Sequence, residues 1–246
     1  GIMANTGKNA GVSKIDRFVI EADEYDNAFW GIPANVVILT NVEYDHPDFF
    51  VNDSVMLDSF RKFLDRMRPY STLVICADSP YAVKLANEYR SKVHYIHTYG
   101  INRPADMMAT NIRVDGDKTH FDVVTTGSLE PFRYIPEHIT LPMTGLHNVQ
   151  NALGALLVAS TIGDVNLDGI AKAFTSFKST GRRFEIRGEC DGIIVVDDYA
   201  HHPTAIKMTI EGAKMRYPNH QIWAVWQPHM YSRTGILMED YAHAFH

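Results

Sequence analysis

Short apolar runs alternate with stretches of helical spacing through the first two thirds of the chain, and that rhythm predicts an α/β fold. Residues 17–21 (Arg-Phe-Val-Ile-Glu) and 35–40 (Asn-Val-Val-Ile-Leu-Thr) read as buried strands of a partly parallel sheet. Residues 53–67 place Val55, Met56, Phe60, Phe63, Leu64 and Met67 at helical intervals, with Asn52 or Asp53 as the cap. A strand returns at 72–76, and Ser79-Pro80 opens a helix through about Tyr89, since proline suits a first helical turn.

From 106 to 139 the period changes to two, as in Thr119-His120-Phe121-Asp122-Val123-Val124, with Gly116 and Gly127 at turns. This predicts an antiparallel meander at the edge of the domain. Residues 148–162 and 167–177 read as helices, and Gly181 as a hinge. Beyond it come a strand at 193–198, a helix from Pro203 to about Met215, a strand at 221–226 and a last helix from about Thr234. Two β-α units in succession predict the opening half of a second α/β domain, which divides the chain into 1–180 and 181–246.

Composition narrows the function classes more than the fold. The chain has 246 residues, 46% hydrophobic and 21% charged, with a formal net charge of −6. A surplus of acid argues against a nucleic-acid partner held by general electrostatics. No apolar run is long enough to span a bilayer, so the cytoplasm is the expected compartment and membrane insertion is not expected. Cys76 and Cys190 lie far apart in or beside apolar runs, where buried thiols are expected rather than a disulfide framework.

Candidate chemistry gathers where strands end, which is where open α/β sheets collect ligands. Residues 18–26 deliver Glu21, Asp23, Glu24 and Asp26 after an apolar run, a fit to magnesium, which takes oxygen ligands and often only one or two carboxylates. Residues 40–48 set His46 between Asp45 and Asp48, a histidine able to ligate a metal or hold a tuned proton. In Gly145-Leu146-His147-Asn148-Val149-Gln150-Asn151-Ala152, the two asparagines stand three apart on one helix face and can satisfy the edges of an adenine ring. Arg183, in Gly-Arg-Arg-Phe-Glu, offers a planar fork for a terminal phosphate, and Asp197-Asp198-Tyr199-Ala200-His201-His202-Pro203 follows within the same junction. His229 and Arg233, in Gln-Pro-His-Met-Tyr-Ser-Arg-Thr, suit a carboxylate-bearing substrate. A phosphate loop is not found: Gly7-Lys8-Asn9 fails the Gly-x-x-x-x-Gly-Lys-Ser/Thr pattern in spacing and in lacking the hydroxyl.

Taken in order, Glu-Ala-Asp-Glu, Thr-Asn-x-x-x-Asp-His, Gly-x-His-Asn-x-x-Asn-Ala, Arg-Arg-Phe, Asp-Asp-Tyr-x-His-His-Pro-Thr and Gln-Pro-His-x-x-x-Arg-Thr resemble the Mur ligase family over essentially the whole chain. The resemblance implies a three-layer central ATPase domain with an antiparallel edge meander, followed by a partial Rossmann-like C-terminal domain. The chain would then start downstream of the phosphate loop and be unable to turn over ATP by itself. It implies ATP and Mg2+ as cofactors, with Glu21 beside magnesium and His46 a ligand of a second ion. Asn148 and Asn151 would hold adenine with His147 beside them, Arg183 would reach the γ-phosphate, and Asp198 would contact the nucleotide. His201, His202, His229 and Arg233 would line the acceptor pocket. The implied reaction joins L-alanine to UDP-N-acetylmuramate through an acyl phosphate. Met230 departs from an arginine frequent among the L-alanine ligases, and Glu24-Tyr25-Asp26 has the flavour of the ligase that reattaches murein tripeptide.

Overall fold

The computed structural model describes residues 7–11, 17–126, 135–162 and 167–245. A six-stranded sheet runs in the order β1 (Val36–Leu39), β2 (Thr72–Cys76), β3 (Tyr95–Gly100), β4 (Met107–Asp115), β5 (Lys118–Thr125) and β6 (His138–Leu141). The first four are parallel and the last three antiparallel, which is the predicted meander at one edge. Helices α1 (Asp53–Leu64) and α2 (Pro80–Tyr89) cover one face, while α3 (Leu146–Thr161) covers the other, with α4 (Leu167–Ser176) against β6. That is a three-layer α/β architecture.

β2 shows how the layers are specified. All five residues are buried, and successive side chains face opposite sides. Leu73 and Ile75 enter the core with α1 and α2, whereas Val74 and Cys76 enter the core with α3. A strand buried on both faces is a continuous apolar run, as read from the sequence. α1 begins as expected, with Asn52 Oδ1 accepting from Val55 N at 3.0 Å, and Pro80 sits in the first turn of α2. α3 carries Gly154 where a Cβ would lie 2.7 Å from Ile38 Cδ1 and 2.8 Å from the Tyr99 ring, so glycine there permits helix and sheet to meet closely.

β3 was not among the predicted strands. It pairs with β4 over only Tyr99↔Met107 and Gly100↔Met108. Side chains reinforce that short ladder: Thr98 N and Oγ1 both donate to Asp106 Oδ2, and Asp106 N donates back to Thr98 Oγ1.

The C-terminal unit is smaller. β7 (Glu185–Cys190) and β8 (Ile193–Asp197) form an antiparallel hairpin whose two-residue turn, Asp191-Gly192, has φ of 52° and 77°. Both residues are left-handed, as the tight hairpin turn requires. Helices α5 (Pro203–Arg216), α6 (Tyr231–Ile236) and α7 (Met238–Ala244) follow, so the last helical stretch starts before Thr234 and breaks at Leu237. Their core is Ile206, Tyr241 and Ala244, with Trp226 stacked on Tyr241 at 4.4 Å.

Two expected strands are absent. Among the described residues, 17–21 and 221–226 lie in no β-ladder, and Phe18, Val19, Trp223 and Val225 are at least 80% exposed. A strand exists through its ladder, and among the described residues neither segment has a neighbouring strand to bond. The alternation expected of a Rossmann-like half therefore stops at β8 and α5. Gly127 lies outside the described residues.

Candidate functional site at the junction of the two units

The loop after β1 and the start of α3 meet the C-terminal unit, and most of the predicted site residues converge there. α5 approaches so closely that a Cβ on Gly212 would lie 3.5 Å from Gly145 Cα. Gly145 itself has φ of 105° and a hypothetical Cβ 2.7 Å from His147 Cε1, so glycine is required by both conformation and space.

One cluster is built on residues 43–46. His46 adopts a left-handed φ of 55°, with its backbone N–H donating to Asp45 Oδ1 at 2.6 Å. Its Nε2–H donates to Glu24 Oε1 at 3.1 Å, and Tyr25 lies against its ring at 4.9 Å. The hydrogen bond to Glu24 raises the His46 pKa above the ordinary imidazole value, over the opposing effect of burial. The same bond holds the Glu24 carboxyl below its ordinary value against burial. Burial also pushes the Asp45 carboxyl up, but the His46 N–H and the charges of His46, Arg233 and His202 leave it lowered overall.

The C-terminal unit grips this loop at three successive residues. Thr204 Oγ1 donates to Glu43 Oε2 at 2.7 Å, His202 Nε2–H to Tyr44 O at 3.2 Å, and Arg233 Nε–H to Asp45 Oδ1 at 2.5 Å. Arg233 is 2% exposed, and its Nη1 is buried without a partner among the described residues. An uncommitted donor of that kind is costly unless something binds it. His201 Nδ1–H donates to Tyr199 O at 2.9 Å, and burial followed by nearby positive charge lowers its pKa. His229 is exposed, its ring 6.0 Å from that of His201.

A second cluster surrounds His147, at the start of α3. Its Nδ1 is buried and without a hydrogen-bond partner among the described residues, and burial lowers its pKa, with the charges of Asp198 and Arg183 acting on it in opposite directions. Asp198 is not an idle carboxylate, because its oxygens accept from Phe184 N and Ala200 N at 2.7 Å each. That clasp pins the turn at Arg182 and Phe184, both at positive φ, to the end of β8. Arg182 is committed to Asp197 and to the Tyr199 ring, whereas Arg183 is exposed with no hydrogen bond or ion pair among the described residues. Asn148 Nδ2–H donates to Thr144 O at 2.7 Å, and Asn151 is exposed on α3.

The structure thus brings His46, His201, His202 and Arg233 together, and His147, Arg183 and Asp198 nearby. Glu21 is exposed, and Glu24 is the carboxylate beside His46. Glu24, Glu43, Asp45 and Thr204 carry the junction but were not singled out from the sequence. The faint signals were the four-acid run at 21–26 and the two-residue spacing of Glu43 and Asp45.

Residues 4–159 match the Mur ligase middle domain, and residues 182–246 match the Mur ligase, glutamate ligase domain. The UDP-N-acetylmuramate–L-alanine ligase of Roseiflexus sp. (strain RS-1) is 37% identical over 234 residues, covering 92% of this chain and 50% of that protein. Its counterpart in Agrobacterium fabrum is 37% identical over 249 residues, covering 100% and 51%. The chain spans about half the length of the curated relatives it matches. Among solved structures, the UDP-N-acetylmuramate-alanine ligase of Thermotoga maritima superposes with a TM-score of 0.65 at 24% identity, over 86% of this chain and 45% of that one. A murein peptide ligase of Psychrobacter arcticus gives 0.54 at 27%, over 82% and 39%. From the matched domains and the shared architecture, the chain belongs to the Mur ligase family.

Proposed function

We propose that this chain carries the nucleotide-facing and acceptor-facing junction of an ATP-dependent ligase that joins L-alanine to UDP-N-acetylmuramate in peptidoglycan synthesis. Residues 1–180 would belong to its ATPase domain and 181–246 to its acceptor domain. The observation that carries the reading is Arg233, a buried arginine of the second unit, ion-paired to Asp45 of the first and left with an unpartnered Nη1. A donor held in that way suits the carboxylate of an incoming amino acid. The names of the curated relatives supply the substrates.

The fit to nucleotide rests on His147, whose buried orphan Nδ1 lies near Arg183 and Asp198. Asn148 and Asn151 would hold the base, Asp198 would contact the nucleotide, and Arg183, with no carboxylate partner among the described residues, would reach the terminal phosphate. Among the described residues no three His, Cys, Asp or Glu side chains form a cation cage. Magnesium bound through one or two carboxylates, waters and phosphate oxygens needs none. Glu21 would stand beside one ion. His46, oriented by Glu24, would ligate a second and give up its proton in doing so.

In that reaction the lactyl carboxylate would attack the γ-phosphorus of ATP and release ADP, and the L-alanine amine would then displace inorganic phosphate from the acyl phosphate to form the amide. Arg183 would neutralise charge on the transferring group. Arg233, His202, His201 and His229 would hold L-alanine through its carboxylate so that its amine can attack, and the clasp on residues 43–45 would keep water from the acyl phosphate. Among the described residues no helix is long and apolar enough to cross a membrane, and we propose the cytoplasm as the compartment.

The test is phosphate release by the complete gene product with Mg-ATP and UDP-N-acetylmuramate, comparing L-alanine with murein tripeptide. Release dependent on L-alanine supports the reading. Tripeptide dependence moves the chain to the recycling ligases, and silence with both leaves a non-catalytic binding role.

A further inference from the structure

A concavity of about 450 Å³ opens on the α2 side of the sheet, with Ile75, Ala86 and Ile96 in its wall and Arg90 and Arg103 among its lining. Ile75 belongs to the core shared with α1 and α2, so this is the face opposite the one α3 and the junction cover. Three features make it a site. Its floor is apolar, with Ile75 and Ala86 buried and Ile96 half-buried on parallel strands and a helix, and its rim carries Asn87 and Thr98 beside the arginines. The loop that carries Arg103 is fixed, because the Asp78 carboxylate accepts from Ile101 N, Asn102 N and Arg103 N at 2.8–3.0 Å and from Gln150 Nε2 at 2.8 Å.

The third feature is charge. Neither arginine has a carboxylate partner among the described residues. Arg90 Nε donates to Asn87 Oδ1 at 3.1 Å, which steadies the guanidinium and leaves its Nη groups uncommitted. Nearby acids are occupied elsewhere: Glu88 by Arg61 at 2.7 and 2.9 Å, and Asp78 by the loop amides. In a chain of net charge −6, two unpaired arginines at one apolar hollow mark a local positive site.

We propose that this hollow binds an organic phosphate, an aromatic or aliphatic body of about nucleobase size seated on the Ile75, Ala86 and Ile96 wall, with its dianion between Arg90 and Arg103. Two guanidinium forks match a phosphate better than a single negative charge. The site is separate from the junction and does not depend on the ligase reading.

The experiment is a titration of the chain followed by amide NMR with 1-naphthyl phosphate, set beside 1-naphthol and inorganic phosphate. Naphthyl phosphate is expected to shift amides of residues 75–104, to bind at least about tenfold tighter than either fragment, and to weaken at least about tenfold in each of Arg90→Gln and Arg103→Gln. Both arginines are exposed, so the variants are expected to keep the wild-type thermal midpoint. Equal binding of naphthol, unchanged affinity in both variants, displacement by saturating Mg-ATP, or no shift at millimolar probe would each overturn the proposal.

Discussion

β2 and β8 have nearly interchangeable sequences, Thr-Leu-Val-Ile-Cys and Ile-Ile-Val-Val-Asp, yet every residue of β2 is buried while Ile193 and Val195 of β8 are 67% and 56% exposed. The difference lies in the layers. β2 has a strand on each side and helices on both faces, whereas β8 has one neighbouring strand and no side chain in the small core of Ile206, Tyr241 and Ala244. The first unit stands on its own apolar core. The second is held largely by polar contacts to residues 43–45 and by α5 against the start of α3.

Breaking those contacts is the strongest test of that contrast. Asp45→Ala would strand the buried Arg233 and is expected to cost about 3–5 kcal/mol. Hydrogen exchange should show amides of β8 and α5 losing protection while β2 and β3 keep theirs; uniform loss would mean the two units unfold as one. The next test compares the strands directly. Leu73→Ala is expected to cost about 2–5 kcal/mol by denaturant unfolding and Ile193→Ala to stay within about 0.5 kcal/mol. Similar losses at both would show that β8 is covered in solution.

Gly154→Ala probes the packing between sheet and helix. The added methyl meets the buried Tyr99 ring, so a loss of about 1–3 kcal/mol is expected in place of the helical gain alanine normally brings. The smallest effects are in pH. Glu24, lowered, supports the fold above the ordinary carboxylate value and loses that support as pH falls through its folded value. His46, raised, supports it below the ordinary imidazole value and loses that support as pH rises through its folded value. His147, lowered by burial, acts oppositely: its neutral form suits the fold, and stability falls as pH drops below the ordinary imidazole value. Ring-proton titration should place His46 above that value and His147 below it; titration in the reverse order would contradict both environments.

Much of the first unit was legible because each signal is local. Asn52 capping α1, Pro80 opening α2 and the period of two through 118–125 each reflect chemistry within a turn or a strand. β3 escaped because Tyr95, His97 and Thr98 dilute its apolar pattern, and β7 because Glu-Ile-Arg-Gly-Glu-Cys has almost none. The Asp191-Gly192 turn was its available sign. In the candidate site, His46, His202 and Arg233 could be read from their motifs, but spacing alone could not choose Glu24 over Glu21 as the partner of His46.

What the sequence determined by itself was the set of elements whose causes lie within a few residues, together with the residue types available for chemistry. Tertiary structure decided the rest. Residues 17–21 and 221–226 have the composition of strands and are not strands, because a ladder needs a neighbour. Arg233 became a buried, half-satisfied arginine only because Asp45, 188 residues away, meets it across the junction. Burial, pairing and shifted proton affinities depend on what stands within a few ångströms in space, and that distance is set by how the layers pack.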